Sequence, residues 1–237
     1  MNFQFRPMLA AVTAAGLAVL IGLGLWQLQR LEWKRDLIAR TQARLASAPI
    51  PFDEALARAE GGEDMEYQPV RIAGVYAHDL QSFVFGTYEG AAGAYVFTPL
   101  ESPAASGKFV YINRGFVPQS LRGRRHEGAG VGGENEVSGL FRSAERRTGL
   151  ARLFRPVDQP EDNLYFIRDP EVLAARNAIV APAYYLDSFG RENPGERPKG
   201  GTTRVEFSNR HLEYALTWFA LAAALAGVYA AFSLQRP

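Results

Sequence analysis

Two runs without a charged residue, Met8–Leu28 and Tyr214–Leu234, stand near the two ends of this 237-residue chain. Each run is 21 residues long. At ~1.5 Å rise per residue, either spans the roughly 30 Å hydrocarbon core of a bilayer as a helix. A cleaved signal peptide is the rival reading of the first run. Against it, the run exceeds the usual apolar region of about 7–15 residues, and no small-residue cleavage site follows. We therefore expect an uncleaved anchor and a second span. That puts both ends of the chain on one side of the membrane and residues ~40–205 on the other. Charge counting gives an awkward answer about sides. The tails offer Arg6 and Arg236, whereas the membrane-proximal ends of the middle segment carry Arg30, Lys34, Arg35, Arg40, Arg204 and Arg210. Read directly, the positive-inside bias puts the middle segment in the cytoplasm; long loops translocate largely regardless of charge, so the rule leaves orientation open.

The first run passes without Gly or Pro into Gln29–Ala46, so the helix is expected to continue to about residue 46. Trp26, Arg30, Trp33 and Leu37 fall on one face of that continuation. Prolines in "SAPIPFDEAL" end it, and a short amphipathic helix over Phe52–Ala59 follows. From Tyr67 the period changes. The stretches "YQPVRIAGVYA", "QSFVFGTYE", "GAYVFTPLE" and "GKFVYINRGFVP" are rich in β-branched and aromatic residues and are separated by turn residues. "EVSGLFRS" and "IVAPAYYLDS" read as further strands, "DPEVLAARNA" as a short helix and "RENPGERPKGGTT" as a linker. The expected fold is thus two transmembrane helices flanking a mainly-β (α+β) domain. An antiparallel meander would close into a small barrel or sandwich with short helices. The expected segments are a tail 1–7, a span 8–28, a domain 47–207, a second span with its entry segment 208–234, and a tail 235–237.

A net charge of +1 gives no reason to expect nucleic acid as a partner. The absence of cysteine excludes disulfides, thiolate nucleophiles and Cys-based metal sites. Neither G-x-S-x-G, G-x-G-x-x-G nor a Walker A loop occurs, and "GAGVGG" at 128–133 has no helix after it to aim at a phosphate. An enzyme is not expected. Of the three histidines, His78 beside Asp79 reads as a solvated turn residue, and His126 in an Arg-rich loop as a surface residue.

His211 differs by its place, three residues before the second run. His211, Tyr214, Ala215 and Trp218 form one helical stripe. If that stripe faces Trp26, Arg30 and Trp33, a boundary pocket results with imidazole, guanidinium, aromatic walls and an apolar floor. A flat, apolar, anionic, metal-bearing ligand suits it, and haem answers that description. The plainer reading has belt aromatics, a snorkelling Arg30, a solvated His211, and Glu213 paired with Arg30 or Arg210.

Three stretches in order, "GLGLWQLQRLEWKRDLI", "VYINRGFVP" and "NRHLEYALTWFALA", resemble the surfeit locus protein family (Surf/Shy type), assembly factors for cytochrome c oxidase. The likeness covers nearly the whole chain. It implies an extracytoplasmic central domain and a role in giving haem a to the largest oxidase subunit, with haem a synthase as a further candidate partner. The alternative is a scaffold that stabilises that subunit without touching haem. By the same resemblance His211 matches a proposed haem a ligand, whose iron it would hold. Trp26, Gln27 and Arg30 match the first motif, and Asn113, Arg114 and Gly115 the second. For the second motif a structural role competes: a glycine at a special backbone angle and Arg114 buried in a pair. Trp26, Arg30, Tyr214 and Trp218 are the expected haem-pocket residues; Gln27, Trp33 and the Asn113–Gly115 motif are structural or client-contact candidates. If the sequence is full length, the seven residues before the first span leave no room for an Arg-rich mitochondrial presequence. The expected location is therefore a bacterial cytoplasmic membrane with a periplasmic domain, or the mitochondrial inner membrane if the chain is not bacterial.

Overall fold

The computed structural model describes residues 2–3, 6–105, 109–124, 126, 133–146, 156–190, 198–202 and 209–235. Most of the glycine loop, the linker at 191–197 and the approach to the second span at 203–208 lie outside the described residues. The chain divides into two compact units, Met1–Gln42 with Glu206–Pro237, and Ala43–Val205.

The first unit contains the two apolar helices. Helix α1 runs unbroken over Pro7–Leu45, in agreement with the predicted continuation past the first apolar run. The second long helix, His211–Ser233, carries the other run. Both are long and apolar enough to cross a membrane. The chain's two ends meet in a short antiparallel pairing of β1 (Asn2–Phe3) with Leu234–Gln235. Thr13, Gly24 and Leu31 are the buried positions of α1, and Ala215, Ala222 and Ser233 those of its partner. Between helices in lipid there is no water to expel, so association depends on close packing, and small residues allow it. A Cβ on Gly24 would lie 2.5 Å from the Phe219 ring. Only glycine fits there without a shift.

The second unit is the β domain. After β2 (Ile50–Pro51) comes helix α2, Phe52–Glu60, which buries Phe52 and Ala55. The remaining strands are β3 (Pro69–Tyr76), β4 (Ser82–Tyr88), β5 (Ala91–Glu101), β6 (Phe109–Pro118), β7 (Asn135–Ser143), β8 (Leu164–Tyr165) and β9 (Tyr184–Ser188). Helix α3, Pro170–Arg176, starts at Asp169, whose carboxylate accepts from the Glu171 amide, with Pro170 in the first turn. The long C-terminal helix, His211–Ser233, is α4.

The sheet order is β2-β3-β7-β9-β6-β5-β4-β8, and β3 also pairs with β5. Strands β3, β7, β9, β6 and β5 therefore close on themselves, which removes the unpaired edges an open sheet would present. Strands β4, β5 and β6 form the predicted meander. Three parallel pairings, β2–β3, β6–β9 and β4–β8, were not expected from the sequence. Phe52, Ile72, Leu100, Ile112, Phe141 and Leu186 belong to one core cluster. Phe97, Tyr111, Tyr165, Leu173 and Tyr185 belong to another. Because β5 and β6 contribute to both, they read as continuous apolar runs rather than alternating ones.

Candidate functional site

Helix α1 brings Gln27 to the face that also carries Thr13, Gly16, Gly24 and Leu31, at the helical spacings of one stripe. Helix α4 brings His211, in its first turn, against that face. The His211 Nδ1 lies 2.8 Å from the Gln27 side-chain oxygen. An amide oxygen only accepts, so Nδ1 carries the proton and donates. In the neutral ring with that tautomer, the lone pair is on Nε2. This is the arrangement by which a ligating histidine is oriented: one ring nitrogen tied to an oxygen, the other presented to the metal. The backbone amide of His211 is met by the Asn209 side-chain oxygen at 3.4 Å. Arg210 pairs with Glu213 at 2.9 Å, so the Glu213 pairing resolves in favour of Arg210 over Arg30.

The expected opposition of two aromatic stripes is not what the helices do. Trp26 is 54% exposed and Trp33 45%. The Arg30 guanidinium lies 3.8 Å from the centroid of the Trp33 ring on its own helix, a cation–π contact. None of these three is on the buried face of α1. Tyr214 is 52% exposed, while Trp218 is half-buried on the His211–Ala215 side of α4. The reason is steric: α4 approaches where α1 offers Gly16 and Gly24, and the large rings are left on the outside. Gln27, grouped with structural or client-contact residues on sequence grounds, is the one that meets His211. Its signal was the stripe Gly24, Gln27, Leu31, which is regular in the sequence but lacks charge and rings.

Among the described residues there is no group of three or more His, Asp or Glu side chains able to hold a metal ion. A haem asks for less, since one axial imidazole suffices and the porphyrin fills the equatorial positions. His211, with its oriented ring, fits that requirement.

The second motif is part of the β domain. On β6, Arg114 and Gly115 stand opposite the single Val96 of β5, a β-bulge. Gly115 has φ +116°, and a Cβ there would lie 1.9 Å from the Lys199 carbonyl oxygen. The bulge redirects the neighbouring side chains. Asn113 donates to Asp187 at 2.6 Å and accepts from the Gly115 amide at 3.1 Å. Arg114 reaches the His126 carbonyl and lies 3.4 Å from His78 Nδ1, with its guanidinium over Tyr76. Both histidines are buried, His78 at 7% and His126 at 8% exposure, which corrects their reading as solvated residues. Gln81 holds the His126 backbone through two hydrogen bonds, of 2.7 and 3.1 Å. Burial pushes the His126 imidazole below its usual 6.5, the Leu121 carbonyl bond pulls upward, and the Arg114 and Arg124 charges add to the depression.

Asp187 also accepts from Arg142 at 2.8 Å, and Arg142 donates to Glu66 at 2.5 Å. The motif thus anchors a buried ionic chain, Asn113–Asp187–Arg142–Glu66. The expected structural role of Asn113 and Gly115 has this geometry behind it.

Taken together, the chain combines two helices long and apolar enough to cross a membrane, joined through a histidine–glutamine bond, with a closed β domain that has a buried polar network. The chain belongs to the SURF1 family, whose model matches residues 14–223. It is 33% identical over 238 residues to Surfeit locus protein 1 of Homo sapiens, covering 93% of this chain and 74% of that protein. Against Surfeit locus protein 1 of Rattus norvegicus the identity is 32% over 223 residues, 87% of this chain and 70% of the relative. A SURF1-like protein of Monosiga brevicollis is 32% identical over 220 residues, 86% of this chain and 80% of its own length.

Proposed function

We propose that this chain is a membrane-bound assembly factor for cytochrome c oxidase that holds haem a through His211 and passes it to the largest oxidase subunit. The observation that carries this reading is the 2.8 Å bond between His211 Nδ1 and Gln27, which fixes the tautomer with Nε2 as the free ligand atom. When bound, haem a would supply the redox-active iron; the chain's own part is to hold and to release. Gln27 orients the imidazole, and a single protein ligand makes the hold weak enough for a client with a better ligand pair to win. No covalent bond need be made or broken by the chain, so the role is assembly rather than catalysis. We place the β domain outside the cytoplasmic membrane of a bacterium, on the ground that long loops escape the charge rule. Haem a synthase is a further candidate partner.

The scaffold reading draws on a different observation. Trp26, Trp33 and Tyr214 are turned outward on the helix pair, where they can meet lipid or a client helix.

The test is co-expression with a haem a biosynthetic pathway, purification in mild detergent, and reduced-minus-oxidised spectra. The wild type should carry a haem a band that shifts or disappears in a folded His211→Ala variant. No haem in either, with binding to the oxidase subunit retained, would sink the donor role and leave the scaffold.

A further inference from the structure

The β domain contains a cavity of about 400 Å³ that the haem reading does not use. Its walls include Arg142, Arg168, Tyr67, Tyr88, Tyr95 and Glu89. The two arginines are placed differently. Arg142 spends its charge on Asp187 and Glu66, as above. Arg168 lies 3.6 Å from a Glu145 carboxylate oxygen, beyond a good hydrogen bond, and 4.7 Å from the Tyr95 ring centroid. Its side chain is only 24% exposed. Yet none of its five N–H groups donates a hydrogen bond among the described residues. Guanidinium groups so far out of water are normally tied to carboxylate or carbonyl oxygens. The Tyr185 hydroxyl, fully buried beside the same charges, also lacks a hydrogen-bond partner among the described residues. Burial and the Asp187 carboxylate push its pKa up against the pull of Arg142 and Arg168, so it stays a phenol with a proton to give.

The backbone gives an independent sign. Four non-glycine residues among those described have positive φ. Glu89 does so in a two-residue hairpin turn with Gly90, Ala178 follows the end of α3, and Asn163 is of the type that tolerates it. Tyr67, at φ 64°, stands third in a turn that the Gln68 N–H closes onto the Met65 carbonyl, a place glycine usually takes, and its ring packs under the Arg142 guanidinium at 4.6 Å on the cavity wall. Backbone strain of this kind collects at ligand sites.

We propose that this cavity binds a small oxyanion, a carboxylate or phosphate borne on a compact molecule, with Arg168 as its principal donor. Arg142 is a second cationic wall held in place by Asp187. Glu89, 3.8 Å from Lys199 at the rim, opposes the incoming charge. The volume exceeds what a bare phosphate fills and lies in the range of small-molecule sites.

The experiment is calorimetric titration of the full chain in detergent, in chloride buffer, with inorganic phosphate, with benzoate and with dihexanoyl phosphatidate. Saturable binding of at least one probe is expected; which one binds tightest distinguishes a carboxylate, a free phosphate and a lipid headgroup. Arg168→Gln should weaken it about tenfold or more, the loss of one charge-assisted contact. Glu89→Gln should tighten it about threefold, the relief of one partly screened repulsion. Circular dichroism checks each fold. If Arg168→Gln does not fold, Glu89→Gln decides, because it alters an exposed side chain. No saturable heat with any probe, or one affinity shared by all folded variants, overturns the proposal.

Discussion

The helix pair and the β domain use polar groups in opposite ways. Between the two long helices, a single side-chain bond, His211 to Gln27, is made among the described residues, and the buried positions are apolar or small. In the β domain, polar side chains are numerous, buried and linked to one another, from Asn113 through Asp187 to Arg142 and Glu66. In the first unit shape sets the packing, and one side-chain bond joins the helices. In the second, charges fix the barrel's register, and removing any one strands the others.

That contrast can be broken most forcefully at Asp187, which is 2% exposed. Asp187→Ala leaves Asn113 without its acceptor and Arg142 with Glu66 as its remaining carboxylate. The β domain should lose about 3–5 kcal/mol, the cost of orphaning a buried ion pair. Denaturant unfolding followed by circular dichroism measures it, and the helix pair's haem spectrum should be unaffected if the chain still folds. Next comes Gln27→Leu. Without the acceptor the imidazole loses its fixed tautomer, and haem retention should fall about 10–100-fold while β-domain unfolding stays at its wild-type midpoint. Retention unchanged would show that the bond is incidental.

A milder perturbation is acid. The unfolded chain takes up a proton at His126 near pH 6.5, and the folded chain only at lower pH. Between those values the unfolded state holds more protons. Stability from this group is therefore complete above about 6.5 and is lost as pH falls toward the depressed value. The melting temperature of the β domain should drop from about pH 7.5 to about pH 5.5, and His126→Gln should flatten that slope. The smallest effect is expected at the exposed Arg210–Glu213 pair, where Glu213→Ala should leave both haem retention and unfolding unchanged.

Much of this architecture was legible from local pattern. The charge-free runs gave two long apolar helices, the lack of Gly and Pro after Leu28 gave the extension of α1, and Asp169-Pro170 marked the start of α3. What escaped was whatever depends on distant partners. The parallel pairing of β6 with β9 joins Tyr111 to Tyr185, and nothing near either residue announces the other. His78 and His126 are surrounded by turn-like sequence, and the contacts that bury them include Gln81 just before β4, Arg114 at the β6 bulge, and the rings of Tyr76 and Phe83. At the helix pair the misreading had another source. Trp26, Arg30 and Trp33 draw attention because they are large and chemically varied, whereas helices in lipid meet where side chains are small. The stripe of Gly16, Gly24 and Gln27 was visible and was the informative one.

The partners in the His211–Gln27 bond stand 184 positions apart along the chain. Neither residue alone makes the pair; the first long helix made by the ribosome presents an amide, and only the second presents an imidazole. On the haem a reading proposed above, a chain still being made, or one cut short before its second long helix, carries no place for a cargo. On that reading loading is a proof of completion, since haem a finds its holder only after both helices are made.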